Sequence, residues 1–132
     1  MSTAQQLFLA YGTIILAVGM TLGIILGMLR ANQPDIRSLA LAHVEVLMQS
    51  SMHFGLAFAV GAVGFESGWA TTAATLLVVG SAMQATGATL NWVTKTRDQF
   101  AEKSIGWRIN STSTFAMAPG MAIAAIGILA NL

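Results

Sequence analysis

The chain contains no cysteine and very little charge. With Cys 0 in 132 residues, disulfides and thiolate metal sites are excluded. Charged residues make up 8% and hydrophobic residues 55%, whereas a soluble domain carries about 25% charged residues. The formal net charge of +1 offers no electrostatic basis for binding nucleic acid. The first residues, MSTAQQ, lack a basic segment, so we expect no cleaved signal peptide. This composition indicates a membrane protein.

Four hydrophobic runs each reach the roughly 20 residues that a helix needs to cross a lipid bilayer. Because backbone groups cannot remain unpaired in lipid, we expect all four runs to be helices. The prediction is an all-α integral membrane protein, with a single domain that forms an antiparallel four-helix bundle with short loops and assembles into an oligomer. The predicted helices span approximately residues 7–29, 39–64, 70–93 and 113–132.

All 6 basic residues fall in the first and third connections between these runs. Glu66 is the only charged residue of the second connection, and neither tail carries a basic side chain. By the positive-inside rule, the two basic connections face the cytoplasm, so we expect both termini outside it. The basic residues are Arg30, Arg37, Lys95, Arg97, Lys103 and Arg108.

Glycines recur along one side of the first run. Gly19, Gly23 and Gly27 are four residues apart, and Gly12 precedes Gly19 by seven. Small residues at this spacing let helix backbones approach closely in lipid. Ordinary helix packing is the first interpretation of this stripe, and a hinge or an oligomer contact is the alternative.

Both histidines of the chain lie in the second run, within the stretch ALAHVEVLMQSSMHFG. At 100° per residue, four side chains lie within about one third of the circumference of this helix: Glu45, Gln49, Met52 and His53. The opposite face carries a different set: His43, Leu47, Ser50 and Phe54. The two histidines therefore cannot bind one metal ion from a straight helix, and we assign them to different surfaces.

Glu45 has two interpretations. An unpaired carboxylate near mid-membrane costs roughly 2.5–3.5 kcal/mol, so a structural ion pair with Arg37 or Lys95 is one. The other is an acid, a base or a substrate anchor that faces Gln84 and Asn91, two amides on one face of the third run. Such a pocket would suit a lipophilic molecule with one or two polar atoms.

His43 also has two interpretations. A lone histidine on an apolar face is commonly a hydrogen-bonded neutral imidazole, and it is also a possible haem ligand. The other three predicted helices contain no histidine, so a haem here would have one protein ligand and an open axial position. We interpret His53 first as a structural polar contact and second as a pocket residue.

The stretch LALAHVEVLMQ, followed later by GATLNW, resembles a family of short bacterial four-helix membrane proteins. This family includes hydroxylaminobenzene mutase and, more distantly, styrene oxide isomerase. Its pattern has an Ala-His pair at the start of the second helix, then a Glu, then an Asn, and an Asn-Trp pair near the end of the third. The corresponding residues here are Ala42-His43, Glu45, Gln49 and Asn91-Trp92. The chain departs from the pattern at Gln49, where the family has Asn, and at Thr89, where it tends to have Tyr.

The resemblance implies isomerisation of a small lipophilic aromatic substrate, a hydroxylamine or an epoxide, in the bacterial inner membrane. It implies haem b ligated by His43 at a subunit contact of a homotrimer, with ferric iron as a Lewis acid. Glu45, Gln49 and Asn91 would be the catalytic residues. Two other classes remain open: a non-catalytic subunit or haem-binding protein of a larger membrane complex, and a solute carrier or channel. The latter is disfavoured because the first and fourth helices offer few polar groups for a continuous path.

Overall fold

The computed structural model describes residues 1–32, 36–65 and 67–132. These residues form helices and no strands, so the predicted all-α class is confirmed. Four helices are long and one consists of a single turn. They are α1 (Thr3–Leu29), α2 (Arg37–Ala62), α3 (Gly68–Val93), α4 (Gln99–Glu102) and α5 (Ile105–Leu129).

Three helices of the described chain, α1, α3 and α5, are long and apolar enough to cross a membrane. The sequence predicted four such helices. With 26 residues, α2 has the necessary length, but both histidines, Glu45 and Gln49 lower its hydropathy. Its polar side chains are largely covered by other helices, since Gln49, Ser50 and His53 are all buried.

The prediction for the start of the last helix was wrong. It was placed near residue 113, but α5 begins at Ile105. Ser104 caps this helix, because its Oγ accepts a hydrogen bond from the backbone N–H of Trp107 at 3.0 Å. The first turns of α5 are polar, so a hydropathy run does not detect them. Arg108, which we had placed in a connection, lies within the helix.

The glycines of α1 form its contact with α2. A Cβ built on Gly12, Gly19 or Gly23 would lie 2.7–3.0 Å from a side-chain atom of α2. The nearest side chains are, in that order, Phe54, Leu47 and His43. Ordinary packing is therefore confirmed for these three glycines, whereas Gly27 has no such neighbour within 4 Å. The face of α2 that carries His43 lies against α1.

The other close pair is α3 with α5. Gly87 and Gly106 meet there, since a Cβ on Gly106 would overlap with the carbonyl oxygen of Gly87 and the amide of Asn91. Because α5 makes few contacts with α1 and α2, the α1–α2 pair and the α3–α5 pair are joined mainly through α3. Only small residues allow backbones to approach this closely.

Two apolar clusters stabilise the helices at different levels. One contains Phe8 and Leu77, and the other contains Leu22, Leu39 and Val46. Between them, at the middle of α1, α2 and α3, the buried residues include several polar side chains: Gln49, Ser50, His53 and Ser81. We call these four residues, together with Tyr11 and Gln84 at the same level, the polar layer.

Candidate functional site

A cavity of about 290 Å³ lies where the start of α2 and the end of α3 meet the connection to α5. Glu45 and Asn91 both line it, as do the guanidinium-bearing Arg37 and Arg97. Its apolar lining includes Leu41 and Phe100, both largely exposed. The volume is at the lower end of the ~300–1,000 Å³ typical of ligand pockets, so the cavity suits a small molecule.

The wall of the cavity is built by the segment between α3 and α5. After α3 the chain turns at Lys95, which has a left-handed backbone with φ 55°. The N–H of Thr96 then bonds to the carbonyl of Asn91 at 2.9 Å and that of Lys95 to the carbonyl of Trp92 at 3.0 Å, as in a Schellman motif. Ser38 of α2 fixes this turn, since its Oγ donates to the carbonyl of Thr96 at 3.0 Å.

Asn91 uses both ends of its amide to hold this segment. Its Nδ2 donates to Oε1 of Gln99 at 2.8 Å, and its Oδ1 accepts from Oγ of Ser104 at 2.6 Å. The side chain is 7% exposed. The arrangement gives Asn91 a positioning role at the cavity wall, and its predicted catalytic role stays a prediction.

Glu45 is half-buried at the cavity wall. Within the described chain its carboxylate makes no hydrogen bond, and neither Arg37 nor Lys95 approaches it within the 4.0 Å that defines an ion pair. The structural ion pair that we considered is therefore not formed among these residues. A carboxylate without a partner can accept hydrogen bonds from a donor group that enters the cavity.

Gln49 does not line the cavity, although we expected it in the same pocket as Glu45 and Asn91. It lies deeper, where its Nε2 donates to Oε1 of Gln84 at 3.1 Å. This bond joins α2 to α3, so the two amides face each other. Gln49 therefore lies at a different level from Glu45, one helical turn further along α2.

His43 lies on the other side of α2 from the cavity. Its Nδ1 is 2.8 Å from the carbonyl oxygen of Gly19, and its ring lies against Gly23. A carbonyl oxygen only accepts, so Nδ1 carries the proton and Nε2 carries the lone pair. The structure therefore does not bring His43 together with Glu45 and Asn91 within one chain.

His53 is completely buried, with 0% of its surface exposed. Its Nδ1 donates to the carbonyl oxygen of Gln49 at 2.7 Å. The ring contacts two aromatic residues of α1, with ring centroids 5.7 Å from Phe8 and 4.8 Å from Tyr11. The primary interpretation of His53 as a structural polar contact agrees with this placement, but we did not predict that α1 covers it.

The sequence reasoning missed several residues that shape the cavity. Arg97, Gln99 and Ser104 lie in the predicted connection between the third and fourth runs, where the sequence has no long helical periodicity, so no facing pattern identified them. The only available signal was the local density of polar residues between α3 and α5. In the described chain, no group of three or more His, Asp or Glu side chains could hold a metal ion; a haem requires only one protein ligand.

Comparisons of the chain with protein-family models, with curated proteins and with solved structures find no match. Fold and site together define an all-helical protein with three candidate membrane-spanning helices and a small amphipathic cavity at one end of its helices. The resemblance to the mutase and isomerase family stays a prediction.

Proposed function

We propose that this chain is an integral membrane isomerase that rearranges a small lipophilic aromatic molecule of the hydroxylamine or epoxide type. The proposal includes an antiparallel four-helix bundle in the bacterial inner membrane, with both termini outside the cytoplasm. It also includes a homotrimer that binds haem b through His43. Its sequence support is the resemblance of residues 39–49 and 87–92 to the family pattern.

The observation that carries the proposal is the hydrogen bond from His43 to the Gly19 carbonyl. Histidines that ligate metals usually donate their other ring N–H to a carboxylate or a backbone carbonyl, which fixes the tautomer and the ring orientation. Here Nδ1 makes that bond, and Nε2 has no partner among the described residues and is not a buried atom. His43 therefore fits the requirement for an axial haem ligand.

Bound at His43, ferric haem would supply a Lewis acid for an oxygen of the substrate without net redox change. The chain provides an apolar surface around this position. Met20 and Ile24 lie beside Gly23 on α1, Val44 follows His43 on α2, and all three are more than half exposed. These side chains would contact the macrocycle and keep water away from it.

A haem at Nε2 would lie outside a single chain, since His43 is at the surface of the α1–α2 pair. A neighbouring copy would cover it, which favours the homotrimer or another homo-oligomer. The polar cavity of the same chain lies on the opposite side of α2, so polar groups near the iron would come from a neighbouring subunit. The proposed activity is accordingly a property of the oligomer.

The visible absorption spectrum of the purified protein tests the proposal. We expect a Soret band in the wild-type protein, its loss in His43→Ala and its retention in His53→Ala. The second variant is the matched control, because it removes the only other imidazole. If the wild-type protein shows no Soret band even after haemin is added, or if His43→Ala keeps it, the isomerase proposal is wrong.

A second candidate is a non-catalytic subunit, or a haem-binding protein, of a larger membrane complex. It is favoured by the use of the Asn91 and Gln49 amides in bonds between structural elements. Of the three predicted catalytic residues, Glu45 alone has no partner in the described chain. Purification from native membranes with a stoichiometric partner protein would support this candidate, whereas a homo-oligomer without partners would contradict it.

A further inference from the structure

The polar layer contains most of the unpaired buried polar atoms of the described chain. Five buried side-chain atoms lack a hydrogen-bond partner, and four of them belong to the layer: Tyr11 Oη, Gln49 Oε1, His53 Nε2 and Ser81 Oγ. Gln49, His53 and Ser81 are at most 5% exposed. Buried polar atoms are nearly always paired, with the protein or with ordered water, so a cluster of unpaired atoms requires an explanation.

Two of these atoms can only accept hydrogen bonds. His53 donates its Nδ1–H to the carbonyl of Gln49, which leaves a lone pair on Nε2. Gln49 donates its Nε2–H to Gln84, and its own Oε1 is a carbonyl oxygen. Two acceptors cannot bond to each other, so both require donors from elsewhere.

The other two atoms are hydroxyl oxygens. The ring of Tyr11 lies 4.8 Å from the ring of His53, centroid to centroid. Ser81 lies one helical turn from Gln84, the partner of Gln49, on the same face of α3. Because Gln49 is opposite Gln84, the antiparallel course of α2 and α3 places Ser81 at the level of His53. Neither hydroxyl has a partner in the described chain.

A water molecule donates two hydrogen bonds and accepts two. The unpaired atoms match this capacity, because two of them can accept hydrogen bonds from the water and the two hydroxyls can donate hydrogen bonds to it. Buried waters typically make about three hydrogen bonds to polar groups that would otherwise be unsatisfied. An apolar molecule would leave all four atoms unpaired at the level where lipid also supplies no partner.

We propose that the polar layer is a water-binding site in the middle of the membrane-spanning helices, held by His53, Gln49, Tyr11 and Ser81. The bound water joins α1, α2 and α3 at the level where the two apolar clusters are interrupted. The site does not depend on haem, since His53 is ten residues from His43, or about 15 Å along α2.

Magnetisation transfer from water to the histidine rings tests this site. The chain has 2 histidines, so ¹⁵N-histidine labelling of the full-length protein in lipid bilayers gives two pairs of imidazole nitrogen signals, which His43→Ala assigns. For His53 we expect a protonated Nδ1, an unprotonated Nε2 and transfer from water protons to the ring. Ser81→Ala and Tyr11→Phe should each weaken the transfer. Ser51→Ala is the matched control, because Ser51 is exposed and bonds within its own helix, so it should have no effect.

Absence of transfer to the His53 ring in the wild-type protein would overturn the proposal without reliance on any variant. A small molecule found by native mass spectrometry in stoichiometric amount, and lost in the Ser81→Ala and Tyr11→Phe variants, would also overturn it, since another donor would then occupy the site. A negative result here leaves the Soret test of His43 unaffected, so the two proposals can fail separately.

Discussion

Replacing Gly23 by alanine should destabilise the contact between α1 and α2. A Cβ at this position would lie 2.7 Å from Cε1 of His43 and 3.3 Å from its Nδ1. Ordinary carbon–carbon contacts begin at about 3.4 Å, so the imidazole must move by ~0.7 Å. The ring cannot move freely, because its Nδ1 is also held 2.8 Å from the carbonyl of Gly19, one turn away on the same helix.

The expected magnitude follows from three contributions. Overpacking of a close contact typically costs about 1–3 kcal/mol, and the weakened hydrogen bond adds about 1 kcal/mol. Alanine is favoured over glycine within a helix by about 1 kcal/mol, which offsets part of the loss. Gly23→Ala should therefore lower the free energy of unfolding by about 1–3 kcal/mol.

Gly27→Ala is the matched control, because its Cβ would meet no neighbouring atom within 4 Å. It retains only the gain in helix propensity and should leave stability unchanged or raise it slightly. Equilibrium unfolding of both variants in mixed micelles, followed by circular dichroism, measures the difference. Equal stabilities for the two variants would refute the placement of His43 against Gly23. If the wild-type protein binds haem, Gly23→Ala should also perturb its Soret band.

Three further outcomes are expected. Ser50→Ala should lower the free energy of unfolding by about 1 kcal/mol, because Ser50 Oγ donates a buried 2.9 Å hydrogen bond to the carbonyl of Gly12, whereas Ser51→Ala should have little effect. Lys95→Gly should raise the free energy of unfolding by about 0.5–1 kcal/mol, since the left-handed backbone is unstrained for glycine; unchanged stability would count against that backbone conformation. A reporter fused after Leu132 should be active only outside the cytoplasm, and cytoplasmic activity would contradict the proposed orientation.

Helical periodicity predicted which residues of α2 share a face, but not which helix covers that face. His43, Leu47 and Phe54 do lie together, as expected from 100° per residue, and all three contact glycines of α1. We had assigned this face to a neighbouring subunit. Periodicity is a property of one helix, whereas the identity of the covering helix depends on how several helices pack, which the pattern of one run does not contain.

The cavity was predictable only in part. The expectation that Glu45 faces Asn91 of the third run agrees with the cavity, because both residues line it. The rest of the lining depends on the backbone of the connection to α5, which is set by the turn at Lys95 and by two helix caps, Asp98 and Ser104. Hydropathy does not detect capping residues in polar segments, and this also explains why the start of α5 was misplaced.

The polar residues that lower the hydropathy of α2 have different surroundings. Glu45 lines a cavity, His53 lies in the buried polar layer, and His43 bonds to a backbone carbonyl through Nδ1 while its Nε2 is not a buried atom. Glu45 and His43 therefore each keep lone pairs without a partner in the described chain, whereas the unpaired Nε2 of His53 is buried. In the proposed haem site, the carbonyl of Gly19 would fix the ring of His43, and the absence of a side chain at Gly23 would leave room for that ring.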